Sequence, residues 1–532
     1  VGRRAARVAL ALVLLGTGAG ARAAIEAAVR EAIGVLHPPQ AASIQAVRQS
    51  WAARGFAPVF VEAEPPFRAT PRARDVVAAM SAAADRGLDA RAYQVARWLD
   101  ALDAPRDEAQ AARLEAGLAH AWAGLLADVG FGRVDPRALG YDLPAQRRRD
   151  RLGPALRAAL EAPTAAAALE AIEPTLPPYR RLVAELARWR ALAALPPPPP
   201  LPAVRGKVAP GDLWPGVDAL RERLWRTGEA ALPQAPPPAG SDARYEGALV
   251  DAVRRFQARH GLDADGVIGA RTLEALAVPA ARRVRQIELS LERMRWLGTT
   301  PQGRYVAVNI PEYRLWAVDG GQVVTTMAVV VGRPVTATPV FVDEIEAVEF
   351  NPYWNVPRSI ASKELYPKLA REAGWLASQH MELIGQADGD LRRALAAGTA
   401  RLRQRPGPDN ALGRVRFVMP NAHDVYLHDT PARGLFAAAR RDFSHGCIRL
   451  ERPLDLVAFA MQARPDWNAA RAEAAIASGR NRTEPIGAGP IPVLIFYATA
   501  VVGEDGRARF VPDVYGLDAR LDAALSALNR PR

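Results

Sequence analysis

Residues 195–202, LPPPPPLP, constrain this chain more than any other stretch. Proline has a fixed φ and no backbone N–H, so this run joins neither a helix nor a sheet and is expected as an extended spacer over residues 195–204. The chain on either side is then expected to fold as separate units. At 532 residues there is room for three or four of them, taking a domain as roughly 100–200 residues.

The pattern differs across the spacer. Residues 24–194 are rich in Ala, Leu and Arg, with apolar positions at helical spacing, as in ARLEAGLAHAWAGLLADVG at 112–130. Residues 205–278 read as a compact helical unit: Leu249, Val250, Val253 and Phe256 recur at helical spacing, and HGLDADGVIG carries the Gly and Asp of tight turns. Residues 281–298 form a basic amphipathic helix whose Val284, Ile287, Leu291 and Met294 are expected to pack against the first helical region. From 303 the pattern becomes alternating and β-branched, with Asp319-Gly320-Gly321 as a hairpin turn. Residues 359–413 turn helical and polar again, an insertion long enough to act as a cap, and 518–532 read as a tail.

The first 23 residues have the layout of a secretory leader: Arg3, Arg4 and Arg7, an apolar run at 8–15, then Ala21-Arg22-Ala23. Cleavage after Ala23 and export are expected; an uncleaved anchor leaves inner-membrane association open, although the run is shorter than the ~20 residues that span a bilayer. Cleavage removes four arginines and no acid, so the formal charge falls from +12 to +8. A basic surface on an exported chain suits an anionic polymer or lipid. Nucleic acid is disfavoured, because no Lys/Arg block with interleaved aromatics occurs.

The chain has a single cysteine, Cys447, inside SHGCIRL. One thiol in an oxidising compartment forms no internal disulfide, so it is either inert and buried or kept for its reactivity. A thiol reacts near neutral pH when a base or cation attends it. His428, nineteen positions earlier in VYLHD, lies on the same strand face as Tyr426, with Val425 and Leu427 on the other. His428 is the preferred base, and His445 competes for that role. Gly446 and Cys447 offer backbone N–H groups to an oxyanion. Arg449 suits either a substrate carboxylate or a structural salt bridge. A zinc site of His423, His428, His445 and Cys447 has suitable ligand types, but its spacing fits no common catalytic pattern.

A histidine followed by SHGCIR, on a β-rich stretch that opens with YVAVNIPEYRLWAV and VVVGRPVTATP, resembles the YkuD-type L,D-transpeptidase catalytic domain over 303–517. Residues 205–278 resemble a helical peptidoglycan-binding domain. Together with GFGRVDPRALG at 130–140 and NPYWNVPRSIA at 351–361, the set is similar to the large Gram-negative branch of that family. The resemblance implies an α+β multidomain chain: a helical scaffold, a helical peptidoglycan-binding domain, and a mostly β catalytic domain with a helical capping insertion. It also implies a periplasmic cysteine acyltransferase that needs no metal or cofactor, acts on peptidoglycan stem peptides, and forms 3→3 cross-links through a thioester on Cys447. Water as acceptor would make it a carboxypeptidase, and a lipoprotein as acceptor would give attachment to the wall. Carbapenem acylation of Cys447 is implied as well. Ser444, Arg449, Tyr426, Tyr353 and Trp354 would line the substrate site. The rival outside catalysis is a wall-binding protein.

Overall fold

The computed structural model describes residues 20–38, 41–104, 106–143, 150–230, 244–372, 374–385, 389–503 and 505–529. The expected leader lies almost wholly outside them, as does the proline-rich stretch 232–240. Among the described residues no helix is long and apolar enough to cross a membrane.

The amino-terminal helices Ala42–Ala52, Pro71–Ser81, Leu152–Glu161 and Ala165–Ile172 pack around a central helix, Glu108–Phe131. That helix starts at a reciprocal box between Asp107 and Gln110 and is buried on most sides, as its continuous Ala/Leu content requires. Its one buried acid, Glu115, accepts N–H groups from Val59 and Phe60 (2.7 Å each), Val61 (3.1 Å) and the Trp51 indole (2.9 Å). Burial pushes this carboxyl up to about 7, while the four donors pull it down.

The last helix of this region, Pro177–Ala194, does not join that core. Its Tyr179, Leu182, Leu186 and Trp189 belong to the same apolar cluster as the β-domain. The reason is its partner, helix Ala280–Leu297, along which it runs. Helix Ala280–Leu297 thus meets Pro177–Ala194, a helix that is itself part of the β-domain core. Helix Ala280–Leu297 also reaches the first core: the Glu292 carboxylate takes the N–H groups of Arg133 and Val134, the latter at 2.9 Å. Gly132, at φ 80°, makes the approach feasible, since a Cβ there would meet Trp296 Nε1 at 2.7 Å and Glu292 Oε1 at 2.8 Å.

Helices Val217–Thr227, Ala248–Arg259 and Ala270–Ala277 enclose a small core of Leu220, Leu224, Tyr245, Val253 and Ile268. The proline run joins neither helix nor strand, yet it is not free. Its carbonyls still accept hydrogen bonds, and Arg223 and Arg226 hold those of Pro199 (2.8 Å) and Pro196 (2.5 Å).

The β-domain strands are β1 Tyr305–Asn309, β2 Arg314–Asp319, β3 Gln322–Gly332, β4 Phe341–Ile345, β5 Ala347–Phe350, β6 Trp354–Asn355, β7 Met381–Gly385, β8 Ala400–Gln404, β9 Val415–Val418, β10 Leu427–His428, β11 Asp442–Ser444, β12 Ile448–Leu450, β13 Arg482–Pro485, β14 Ile491–Phe496, β15 Ala500–Val502 and β16 Ala508–Phe510. Eleven of them form one mixed sheet, in the order β13-β5-β9-β10-β12-β3-β2-β1-β14-β4, with β11 added alongside β3. Gly320 and Gly321, both at positive φ, close the β2–β3 hairpin as the sequence indicated.

Two expectations change. The insertion is not purely helical: β6, β7 and β8 form its own three-stranded sheet, and it has its own core around Ile360, Trp375, Leu395 and Leu402. Because β6 belongs to that sheet, the insertion begins at Trp354 and not at Ser359. Within the stretch 518–532, the described residues are not a loose tail. Helix Leu517–Leu528 buries Leu521 and Leu525, and its Asp518 and Asp522 pair with Arg293 and Arg285 of helix Ala280–Leu297 at 2.5 and 2.7 Å.

Candidate active site

β10 lies between β9 and β12, pairing antiparallel with the former (His428 opposite Arg416) and parallel with the latter (Leu427 opposite Ile448, His428 opposite Arg449). Val425, Leu427, Ile448 and Leu450 are buried in the core. Strand alternation therefore sends Tyr426, His428, Cys447 and Arg449 to the opposite face, where they form one patch. SHGC runs from the end of β11 through a tight turn into β12, which fixes the thiol at a strand end.

The partly exposed Cys447 thiol contacts the Asp424 carbonyl at 3.6 Å and is hydrogen-bonded to the Tyr426 phenol. Tyr426 is gripped on two sides, edge-on by the His428 ring at 5.6 Å and from β9 by the Arg416 guanidinium at 5.1 Å. His428 is only 4% exposed. Its Nδ1 lies 2.5 Å from the carbonyl of Asp429, which puts the ring proton on Nδ1, and the carbonyl of Leu412 is also bonded to the ring.

Burial dominates the electrostatics. It pushes His428 down to about 3, and the positive charge of Arg449 acts in the same direction. Burial also pushes the Cys447 thiol above its ordinary value; Tyr426, Arg416 and Arg449 oppose this without overturning it. The Tyr426 phenol is raised by burial and by the neighbouring sulfur. At neutral pH the thiol and imidazole are therefore both uncharged. That differs from the thiolate expected from an imidazole neighbour, and the cause is loss of water around both groups.

Arg449 is mostly buried, and burial lowers its pKa. Its Nε has no hydrogen-bond partner, and among the described residues no carboxylate pairs with it. The salt-bridge alternative for Arg449 is thus set aside. The motif's remaining residues divide differently from expectation. Ser444, placed by resemblance against substrate, is buried, donates to the Cys447 carbonyl at 2.5 Å and accepts from Gly446 N–H at 3.1 Å. It braces the turn. The Gly446 N–H is thereby occupied and is not a free oxyanion donor, while the φ of 123° at Gly446 explains why glycine stands there.

The segment after β3 supports the turn from outside. Arg333 N–H and Thr336 Oγ1 donate to the Ser444 carbonyl (3.0 and 3.1 Å), and Thr338 Oγ1 donates to that of Gly446 (2.7 Å). On the other side Asp429 accepts from the N–H groups of Arg414 and Thr430 and pairs with Arg433, which holds the carbonyl that orients His428. His445 points elsewhere. Its Nε2 lies 2.6 Å from both Arg333 Nη2 and Glu364 Oε1, and Glu364 belongs to the insertion.

Tyr353 lies under the Arg403 guanidinium of β8 at 4.4 Å, and Trp354 packs on the insertion's core. Both serve the insertion in this structure. His423 faces Asp142 at 3.2 Å and the Phe341 ring, so the four residues of the zinc alternative each have separate partners. Sequence reasoning missed Arg416, Asp429, Arg333 and Glu364. Arg416 was findable, since it alternates with the core residues Val415 and Phe417 on a strand beside β10. A cleft of about 800 Å³ opens between Pro177, Arg181, Arg259, Trp316, Phe496 and Arg509, and no residue of the SHGC motif lines it.

The site thus brings together a thiol, a buried histidine oriented by a backbone carbonyl, and a guanidinium with no carboxylate partner among the described residues. Comparison with known proteins gives three domain matches. Residues 303–466 match the L,D-transpeptidase catalytic domain, 45–186 match a scaffold domain, and 215–276 match a putative peptidoglycan-binding domain. The chain thus carries the YkuD L,D-transpeptidase domain together with the scaffold and peptidoglycan-binding domains. A protein of Haemophilus influenzae described as a putative L,D-transpeptidase is 30% identical over 246 residues, 45% of this chain and 49% of its own length. The alignment spans about half of that relative. Among solved structures, an L,D-transpeptidase from Mycobacterium smegmatis is 14% identical over 37% of this chain and 60% of its own, with a TM-score of 0.21. One from Xylanimonas cellulosilytica is 18% identical over 56% of this chain and all of its own, with a TM-score of 0.18.

Proposed function

We propose that this protein is an extracytoplasmic L,D-transpeptidase that joins peptidoglycan stem peptides through a thioester on Cys447. The observation that carries the reading is the pairing of β10 with β12, with His428 on the first, Cys447 immediately before the second, and the imidazole oriented by Asp429. The catalytic-domain match over 303–466 includes both residues.

With both groups neutral, the thiol proton leaves as the sulfur attacks and not before. Cys447 Sγ bonds to the carbonyl carbon at the L-centre of diaminopimelate while His428 Nε2 takes the proton. The Cys447 N–H is the remaining donor for the oxyanion, because Gly446 N–H is engaged. Collapse breaks the C–N bond, and His428 passes its proton to the departing D-alanine amine. The side-chain amine of a second diaminopimelate then attacks the thioester, loses its proton to His428, and restores the thiol. The product is a 3→3 cross-link; water in place of the amine gives hydrolysis. Arg449 receives a stem carboxylate, and the peptidoglycan-binding domain keeps the chain on the wall.

Incubating the full chain with tetrapeptide-rich sacculi and separating the muropeptides tests this. Cross-linked dimers form with wild type and are absent with Cys447→Ala. An unchanged chromatogram for wild type refutes the assignment, and tripeptides without dimers convert it to a carboxypeptidase. Intact-mass analysis with a carbapenem checks the nucleophile: an adduct that survives Cys447→Ala rules it out.

A further inference from the structure

The contact between Glu364 and His445 joins two units that otherwise have separate cores. Glu364 sits on the helical segment Ala361–Leu365 of the insertion, while His445 lies in the turn two residues before Cys447. Arg333 completes the group, its guanidinium 2.6 Å from His445 Nε2 and 3.9 Å from the Glu364 carboxylate. Because Arg333 N–H is bonded to the Ser444 carbonyl, this guanidinium is anchored to the motif itself. Its Nε is buried without a partner. A guanidinium and an imidazole converging on one carboxylate oxygen make an anion receptor, and here the anion comes from the same chain.

We propose that Arg333 and His445 form a carboxylate-binding subsite beside the nucleophile, and that Glu364 of the insertion occupies it until a substrate carboxylate takes its place. The identity of that carboxylate rests on the acyl-transfer reading. In a stem ending in a D-amino acid, the terminal carboxylate is three bonds beyond the scissile carbon. Two residues of backbone span at most ~7 Å, so His445 and Cys447 can engage those two groups of one ligand together. The exchange is feasible because all three side chains reach solvent, with Glu364 46%, Arg333 41% and His445 31% exposed, and such pairs are weakly held. Glu364 then has two effects. It holds the insertion over the turn in the resting chain, and it makes substrate entry a competition between one internal carboxylate and an external one.

The test titrates N-acetyl-D-alanine, and separately its amide, into the full chain carrying isotope-labelled histidine. The His445 resonance is assigned with His445→Gln. The carboxylate is expected to shift the His445 signal, with an apparent affinity about tenfold higher in Glu364→Gln than in wild type, because the competitor is gone. The amide leaves the signal in place, and Arg333→Gln removes the response to the carboxylate. Equal affinity in wild type and Glu364→Gln overturns the competition. A response to acid and amide alike, or one that survives Arg333→Gln, overturns the subsite. If Glu364→Gln disturbs the insertion, comparing wild type with Arg333→Gln still decides. No turnover enters this readout, so it can fail while muropeptide dimers form, or succeed when none do.

Discussion

The face of β10 and β12 and the turn above it each hold a histidine and an arginine, yet their charges are handled in opposite ways. On the strand face, His428 is buried and neutral, and Arg449 has no carboxylate partner among the described residues. At the rim, His445, Arg333 and Glu364 reach solvent and cluster around one ring nitrogen, His445 Nε2, which can donate to Glu364 or accept from Arg333 but not both at once. The difference teaches what each histidine is suited to. A neutral ring with one nitrogen tied to a carbonyl can accept a proton, whereas a ring wedged between a guanidinium and a carboxylate is suited to hold an anion.

Replacing each histidine in turn is the severest way to break this contrast. His428→Ala should lower kcat/KM by roughly 10²–10⁴, the usual range for a lost general base, whereas His445→Gln should act mainly through KM. Equal losses in kcat would erase the distinction. Next in size is the pH dependence of the thiol. Because burial raises the Cys447 pKa, alkylation by iodoacetamide should climb about tenfold per pH unit from 7 to 9, following the thiolate fraction. A rate that is flat over that range would mean a preformed thiolate–imidazolium pair. A smaller effect is expected from Arg449→Met. Removing an unpaired buried cation should stabilise the fold by about 1 kcal/mol while kcat/KM falls about tenfold, read by thermal melting and by turnover. Loss of stability together with activity would show that Arg449 has a structural partner.

The smallest expected effect concerns acid. His428 has a folded pKa below its unfolded value, so the unfolded chain binds the extra proton first. Its contribution to stability is present above about pH 6.5 and is lost as pH falls towards 3. Melting temperature should therefore drop less steeply between pH 7 and 4 in His428→Gln than in wild type. The buried His260 has the same sign but is common to both proteins, so it cancels in the comparison. Identical slopes would mean that the ring is already charged in the native state.

How much of this was legible in the sequence varies with the range of the contact. Alternation in 425–428 placed Tyr426 and His428 together, and the double glycine at 320–321 marked its hairpin, because both signals are local. Cys447 was legible through its motif. The pairing of Glu364 with His445 was not, since 81 residues separate them and nothing in either segment refers to the other. The small sheet of the insertion escaped for a different reason: MELIG and ARLRQ are short and mixed in polarity, so they carry little strand signal. Residues 518–528 were misread because their apolar face is narrow and is completed by the acids that meet Arg285 and Arg293.

Helix Pro177–Ala194 precedes the proline run, but its aromatic face fills the hydrophobic interior shared with the catalytic sheet. A recombinant fragment that began at Ala280 would lose four large side chains from that interior and leave an apolar wound on helix Ala280–Leu297. A piece that keeps this interior whole has to start at Pro177 or earlier, so the helical module at 215–276, threaded between two halves of one core, stays in it.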